Sequence, residues 1–280
     1  MDSAGGVLAT KRGLLCEILA KFERVAIAFS GGVDSSYLLS ACVDVLGAAQ
    51  VLALTADSPL MPRAELRTAR QIAESVGVCH RVLPLDDLAV PEVAANPPRR
   101  CYYCKRARFQ ALLAIASEAQ GSQLLHGENA DDHLDYRPGS AAAAELRVRA
   151  PLSEAGLTKL EIRELSRQRG LPTWDYPAAA CLASRFPYNT PLSREGLERV
   201  ERAEEVLRRV LPHGPVRLRD HYPVARVEVP PEEIERLAVP ERRAEIAREL
   251  RALGYHYVAL DLDGYRMGSL NDGIETRITD

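Results

Sequence analysis

The apolar run Val25-Ala26-Ile27-Ala28-Phe29 leads directly into Ser30-Gly31-Gly32-Val33-Asp34-Ser35-Ser36. A run this short, apolar at every position, is a strand buried on both faces. The segment YLLSACVDVLG that follows has the pattern of a helix ending at Gly47. The two glycines between strand and helix let the backbone turn tightly and approach an anion without interference from a Cβ. Ser30, Ser35 and the first amides of the helix can then donate to phosphate oxygens, with the helix dipole assisting. Strand, glycine turn and helix therefore limit the fold and also form a phosphate cradle.

The alternation continues along the chain. Gln50 to Ala56 reads as a second buried strand, Pro62 to Val76 as a helix, HRVLPL as a strand, Cys104 to Gln120 as a helix and QLLHG as a strand. Strands separated by helices of this kind predict an α/β fold, a doubly wound parallel sheet with helices on both faces. Sites in such sheets lie at the carboxyl ends of the strands, where FSGGVDSS, LTADSP and HGENADD would converge. From about Pro187 the alternation stops. A charged helix (Ser193 to Val210), a hairpin pattern in VRLRDHYPVARVEVP, a helix (Pro231 to Leu253) and YHYVALDLD indicate a smaller α+β domain. The expected division is 1–186 and 187–280.

The turn is neither a Walker A sequence nor a dinucleotide fingerprint. Its S-G-G-x-D-S pattern resembles the PP-loop of the ATP pyrophosphatases. That resemblance implies cleavage of ATP between its α and β phosphates, with Ser30, Gly31, Gly32, Asp34, Ser35 and Ser36 around the phosphates. It also implies Mg²⁺ held by Asp34, because hard cations favour carboxylate and phosphate oxygens. Gly127 would allow close approach of the nucleotide, and Asp131 or Asp132 would bind Mg²⁺ or position the adenylate; acids after a strand also serve as plain helix caps. Thr55 and Ser58 would border adenosine, although turns rich in Ser, Asp and Pro are common without a ligand.

A net charge of -3, from 36 basic and 39 acidic residues, gives no overall basic field for nucleic acid. No apolar stretch has the length of a membrane span and no secretory leader is evident, so a cytoplasmic location and no membrane partner are expected. Six cysteines in 280 residues are too few for a disulfide framework. Cys16, Cys42 and Cys79 lie in apolar patterns and read as small core residues. Cys101 and Cys104 form a C-x-x-C near a helix start among Arg99, Arg100, Lys105 and Arg106, a setting that favours thiolates. Two cysteines cannot complete a tetrahedral sulfur site or hold a cubane cluster in the usual way, and Cys181 is the candidate third.

SGGVDSS, NPPRRCYYCK, GENADDHLDYRPG, CLASRFPYNTPL and RLRDHYPVARVEV, in this order, resemble the LarE family. These are ATP-dependent pyridinium-3,5-biscarboxylic acid mononucleotide sulfurtransferases of nickel-pincer nucleotide biosynthesis. The resemblance implies adenylation of a substrate carboxylate and its conversion to a thiocarboxylate. Two sulfur chemistries accompany the family: loss of sulfur from the cysteine of C-L-A-S-R, or a [4Fe-4S] cluster on three cysteines. The presence of Cys101, Cys104 and Cys181 together favours the cluster. Arg185, Arg217 and Arg219 would grip the mononucleotide phosphate through bidentate guanidinium contacts; a solvated charged strand is the plainer account of Arg217 and Arg219. Glu228 is a weaker candidate, and Tyr102 and Tyr103 could pack on a pyridinium ring or be merely half-buried. The implied partners are a small-molecule mononucleotide and sulfide or a sulfur donor, in a homo-oligomer with a hexamer among the options. The competing readings are a PP-loop tRNA thiolase and a nucleotide sensor without turnover.

Overall fold

A computed structural model describes residues 3–119, 121–134, 138–176, 180–211, 214–266 and 268–271. Its contacts divide the chain into two units, Met1–Ala179 and Ala180–Asp280. Cys181 and Arg185, grouped with the first domain on sequence, thus belong to the second unit. Asp135 to Arg137 of the GENADDHLDYRPG segment, and Pro177 to Ala179 ahead of Cys181, lie outside the described residues.

In chain order the first unit contains α1 (Ser3–Leu19), β1 (Val25–Ala28), α2 (Val33–Leu46), β2 (Val51–Asp57), α3 (Arg63–Val76) and β3 (Cys79–Pro84). It continues with α4 (Pro91–Ala94), α5 (Arg100–Glu118), β4 (Gln123–His126), α6 (Pro138–Glu145), α7 (Pro151–Glu154) and α8 (Lys159–Gln168). The four strands form one parallel sheet in the order β3-β2-β1-β4. Alternation along β1 shows why both faces must be covered. Val25 and Ile27 join Leu15, Leu38, Leu39, Ile72 and Ile162 in one core, while Ala26 faces Phe109, Leu112 and Leu124 in the other. Helices therefore lie on both faces, as the continuous apolar strands require.

The order places the reversal of chain direction across the sheet at β1, flanked by β2 on one side and β4 on the other. Ligands of doubly wound sheets bind at such a point, beyond the carboxyl ends of the strands. The loops after β1 and β4 are SGGVDSS and GENADD.

The second unit contains α9 (Arg194–Val210), β5 (Arg217–His221), β6 (Val224–Glu228), α10 (Ile234–Ala238), α11 (Pro240–Ala252) and β7 (Tyr257–Leu260). β5 and β6 form the expected hairpin, and β7 pairs parallel to β6. The helix expected over Pro231 to Leu253 is broken. Val239 is extended (φ -62°, ψ 141°) and Pro240 opens a new helix, because proline fixes its own φ and disfavours helical backbone before it. Among the described residues, no helix is long and apolar enough to cross a membrane.

Candidate functional site

The turn after β1 is shaped by two close approaches. Gly31 has φ +76°, and a Cβ there would lie 2.9 Å from the backbone of Ala69 in α3. Glycine alone takes this conformation without strain and leaves room for α3. A Cβ on Gly127 would lie 2.8 Å from the Ser35 nitrogen and 3.0 Å from the Asp34 carbonyl carbon. The β4 loop is thereby seated against the first turn of α2, and the two acid-bearing loops meet.

Hydrogen bonds within the turn are mutual and weak. The Ser30 and Ser35 hydroxyls are 3.1 Å apart, Ser35 donates to the Gly32 carbonyl at 3.1 Å, and the Gly32 amide donates to Ser30 Oγ at 3.3 Å. Gly32 caps α2 with extended backbone (φ -76°, ψ 166°) and no side-chain bond to the cap. The Ser36 hydroxyl is fully buried with no hydrogen-bond partner among the described residues. Amides at the start of a helix need an acceptor from outside it, and phosphate oxygens meet that need together with the dipole.

Three sequence-selected acids and one unforeseen lysine complete this edge. Lys159 Nζ lies 2.5 Å from Asp34 Oδ2, and the Lys159 amide donates to Asp131 Oδ2 at 2.7 Å. Asp132 is buried and accepts from the Asn129 amide at 3.1 Å. Lys159 is placed by a capping box, in which Glu161 accepts from the Thr158 amide at 2.8 Å and donates its own amide to Thr158 Oγ1 at 3.3 Å. Lys11 holds Glu161 at 2.7 Å. The T-x-x-E spacing of Thr158 and Glu161 was the available sequence signal for this helix start.

Thr55 and Ser58, expected beside adenosine, have protein partners. Thr55 is buried, donates to the Phe29 carbonyl at 2.7 Å and lies 2.8 Å from His80 Nε2, which ties β1 to β3. Ser58 accepts from the Leu60 amide at 3.2 Å and from Arg108 at 2.7 Å. Arg108 also holds the buried Asp87 through Nε at 3.1 and 3.2 Å.

Helix α5 starts at Arg100, earlier than the sequence pattern suggested, so Cys101 and Cys104 both lie in its first turns. Arg100 is buried, bonded to Asn96, and its guanidinium lies 3.8 Å from Cys101 Sγ. Cys104 Sγ donates to Asp87 Oδ1 at 3.8 Å. Tyr102 donates to Glu145 at 2.6 Å and packs edge-on against Tyr103. Among the described residues, no group of three or more His, Cys, Asp or Glu side chains is gathered to hold a metal ion. As a donor set, the half-buried thiols of Cys101, Cys104 and Cys181 fit a three-cysteine cluster in number and chemistry. The first two lie in one unit and the third in the other.

His126 closes the edge at the end of β4. Burial, reinforced by the charge of Lys105, pushes its pKa down to about 3. The ring is neutral, packs edge-on against Phe109, and stands 3.9 Å from Glu128.

In the second unit the predicted arginines are paired inside the fold. Arg185 donates Nε and Nη2 to Glu204 at 2.8 and 3.0 Å, and Nη1 to the carbonyls of Ala180 and Cys181 at 2.7 and 3.1 Å. Nη1 also reaches Ser184 Oγ at 2.9 Å. Arg219 donates to Glu228 at 2.7 Å and to the Ser184 carbonyl at 2.8 Å. Arg217 is buried, donates to the Val216 carbonyl at 2.9 Å and lies over the Tyr265 ring. Its pKa is lowered by burial and by the neighbouring Arg185. Burial alone would raise the pKa of Glu204; Arg185, with Arg208 and Arg217, overrides it and holds the carboxyl below its ordinary range. Glu204 was absent from the sequence candidates because its charge pattern is that of any amphipathic helix.

A parallel sheet ordered 3-2-1-4, carrying S-G-G-x-D-S at its point of reversal, defines the PP-loop class of α/β proteins. A family profile described as NAD synthase matches residues 17–136. An uncharacterised protein of Synechocystis sp. is 41% identical over 95% of this chain and 98% of its own length. The pyridinium-3,5-bisthiocarboxylic acid mononucleotide synthase of Lactiplantibacillus plantarum is 38% identical over 95% of each chain. A tRNA-specific 2-thiouridylase of Bradyrhizobium sp. is 30% identical, over 54% of this chain and 47% of its own. The chain belongs to the LarE family of PP-loop enzymes.

Proposed function

We propose that the chain uses ATP to adenylate a carboxylate of pyridinium-3,5-biscarboxylic acid mononucleotide and then puts sulfur in place of the activated oxygen. The observation that carries this reading is the seating of Gly127 against Asp34 and Ser35, which joins the phosphate turn to the second acidic loop. The substrate is inferred from the Lactiplantibacillus relative, a pyridinium-3,5-bisthiocarboxylic acid mononucleotide synthase, whose product bears two thiocarboxylates.

In the first step a substrate carboxylate oxygen attacks the α-phosphorus of ATP, the bond to the β-phosphate oxygen breaks, and pyrophosphate leaves. Ser30, Ser35 and the first amides of α2 receive the phosphates, and Asp34 would hold Mg²⁺, as suits a carboxylate beside phosphate oxygens. In the second step hydrosulfide attacks the acyl carbon, AMP leaves with the bridging oxygen, and a proton is released. Cys101, Cys104 and Cys181 would hold a [4Fe-4S] cluster, which when bound supplies an iron position for that sulfide. Arg217 and Arg219 remain the candidates for the mononucleotide phosphate. Arg185 already grips Glu204, so its role is to hold the Cys181 segment. The proposed partners are the mononucleotide and a sulfide donor, in a homo-oligomer.

A second reading has a specific observation behind it: Arg185 fixes the Ala180 and Cys181 carbonyls, which suits a cysteine that gives up its own sulfur. Pyrophosphate release is the first test. It is expected only when ATP, Mg²⁺ and the biscarboxylate mononucleotide are all present. Release that responds to tRNA and not to the mononucleotide replaces the proposal with a tRNA thiolase. Anaerobic iron analysis and intact mass separate the sulfur routes: Cys101→Ala loses iron if the cluster is used. A cysteine converted to dehydroalanine after turnover establishes the sacrificial route.

A further inference from the structure

Lys159 is the best-placed charge in the first unit that the sequence patterns did not mark. As the first residue of α8 it puts a cation at a helix N-terminus, where the dipole opposes positive charge. Local helix stability therefore does not account for a lysine here. Its ammonium lies 2.5 Å from Asp34 Oδ2, across 125 positions of sequence. Its amide separately holds Asp131 at 2.7 Å. The capping box on Thr158, the Lys11 bond to Glu161, and the bond from the Ala130 amide to the Leu157 carbonyl at 2.8 Å fix this helix start against both acidic loops.

We propose that Lys159 is a built-in counter-ion for Asp34, which occupies the carboxylate until a metal-bound triphosphate arrives and then turns to the phosphate oxygens. It is a positioning residue, and the inference rests on the ATP reading given above. Asp34 offers the hard oxygen donor that Mg²⁺ requires, and a monovalent ammonium on the same oxygen competes with a free divalent ion. Both side chains keep some solvent contact, 30% for Lys159 and 19% for Asp34, so the pair can exchange partners without opening the core. A triphosphate brings enough negative charge to draw the ammonium away and brings its own metal to the vacated oxygen. The arrangement makes metal capture depend on nucleotide.

The probe is Mn²⁺ alone, without nucleotide, followed by its paramagnetic resonance signal on the intact protein. Lys159→Met and Lys159→Gln leave the backbone bond to Asp131 in place and remove only the ammonium. Both variants should bind Mn²⁺ about fivefold more tightly than the wild type, the size of a partly exposed ion pair. ATP-dependent pyrophosphate release should fall in both, and Lys159→Arg should restore the weak Mn²⁺ binding. Unchanged or weaker Mn²⁺ binding in a folded Lys159→Gln overturns the counter-ion role. Wild-type protein that fails to bind ATP with Mg²⁺ overturns the ATP reading instead, so the two failures are distinct.

Discussion

The glycine turn of the first unit and Arg185 of the second were both expected to hold phosphate, and the fold treats them in opposite ways. Around the turn the donors are hydroxyls and amides whose bonds to one another are long or absent, with Ser30 and Ser35 3.1 Å apart and Ser36 buried without a partner among the described residues. Around Arg185 the donors are already spent on Glu204 and on three acceptors of the Cys181 segment. A site prepared for an anion leaves amides in need of an acceptor. A cluster built to hold a segment satisfies its charges within itself, because a buried unpaired charge is costly.

The sharpest way to break this contrast is Glu204→Gln. Glu204 is 1% exposed and neutralises Arg185, which is itself 2% exposed, and it also meets Arg208 and the Leu218 amide. Removing one partner of a buried pair leaves the other uncompensated, at a cost of about 3–5 kcal/mol. Urea unfolding should show that loss in the second unit, while ATP binding to the first survives. A loss under about 1 kcal/mol would mean that the cluster behaves like a solvated surface pair. In that case the guanidinium of Arg185 is available to a ligand after all.

How far the chain could be read in advance divides along the same line. The β1 turn was legible because its chemistry is backbone chemistry: Gly31 announces a conformation, and no partner has to be guessed. Lys159, Asp87 and Glu204 were not legible, because each acts through a residue remote in sequence. Lys159 finds Asp34 only when α8 packs on α2, and Glu204 finds Arg185 only when α9 covers the Cys181 segment. Periodicity places an arginine on a strand face but cannot say whether a carboxylate meets it there. The break before α11 had its signal in Pro240, although the helical pattern over Pro231 to Leu253 predicts one unbroken helix.

Acid provides the next test, because the two regions should respond in different windows. His126 has a folded pKa of about 3, against an ordinary value near 6.5. The unfolded chain therefore takes up that proton first, and stability present above pH 6.5 is lost as the pH falls toward 3. Between pH 7 and 5 this amounts to about 2 kcal/mol for the first unit. His126→Leu should flatten the slope by that amount; His80 keeps a smaller share in the first unit, and His221 gives the second unit a smaller slope of the same sign. Glu204 has a folded pKa held below its ordinary range, so its contribution is present above about pH 4.3 and is lost only at lower pH. Urea midpoints of the two units that fall together across pH 7 to 5 would contradict the separation.

The smallest effect probes how the open region stays organised with so few internal bonds. Thr158 caps α8 by accepting from the Glu161 amide at 3.3 Å and donating to the Glu161 carboxylate at 3.0 Å. Thr158→Ala removes both bonds at a cost of about 1 kcal/mol, typical of a lost N-cap, and Thr158→Ser should recover most of it. The loss should appear only in the first unit. The bond between Lys159 and Asp34 should weaken with it, because the start of α8 would no longer be fixed and the ammonium would sample more of the space around the turn. Nucleotide-free Mn²⁺ binding should then tighten slightly in Thr158→Ala, in the same direction as removal of the lysine charge. Tightening in Thr158→Ala with none in Thr158→Ser would locate part of the control of the phosphate turn in the N-cap next to Lys159, in contrast to the fixed ion pairs within the second unit.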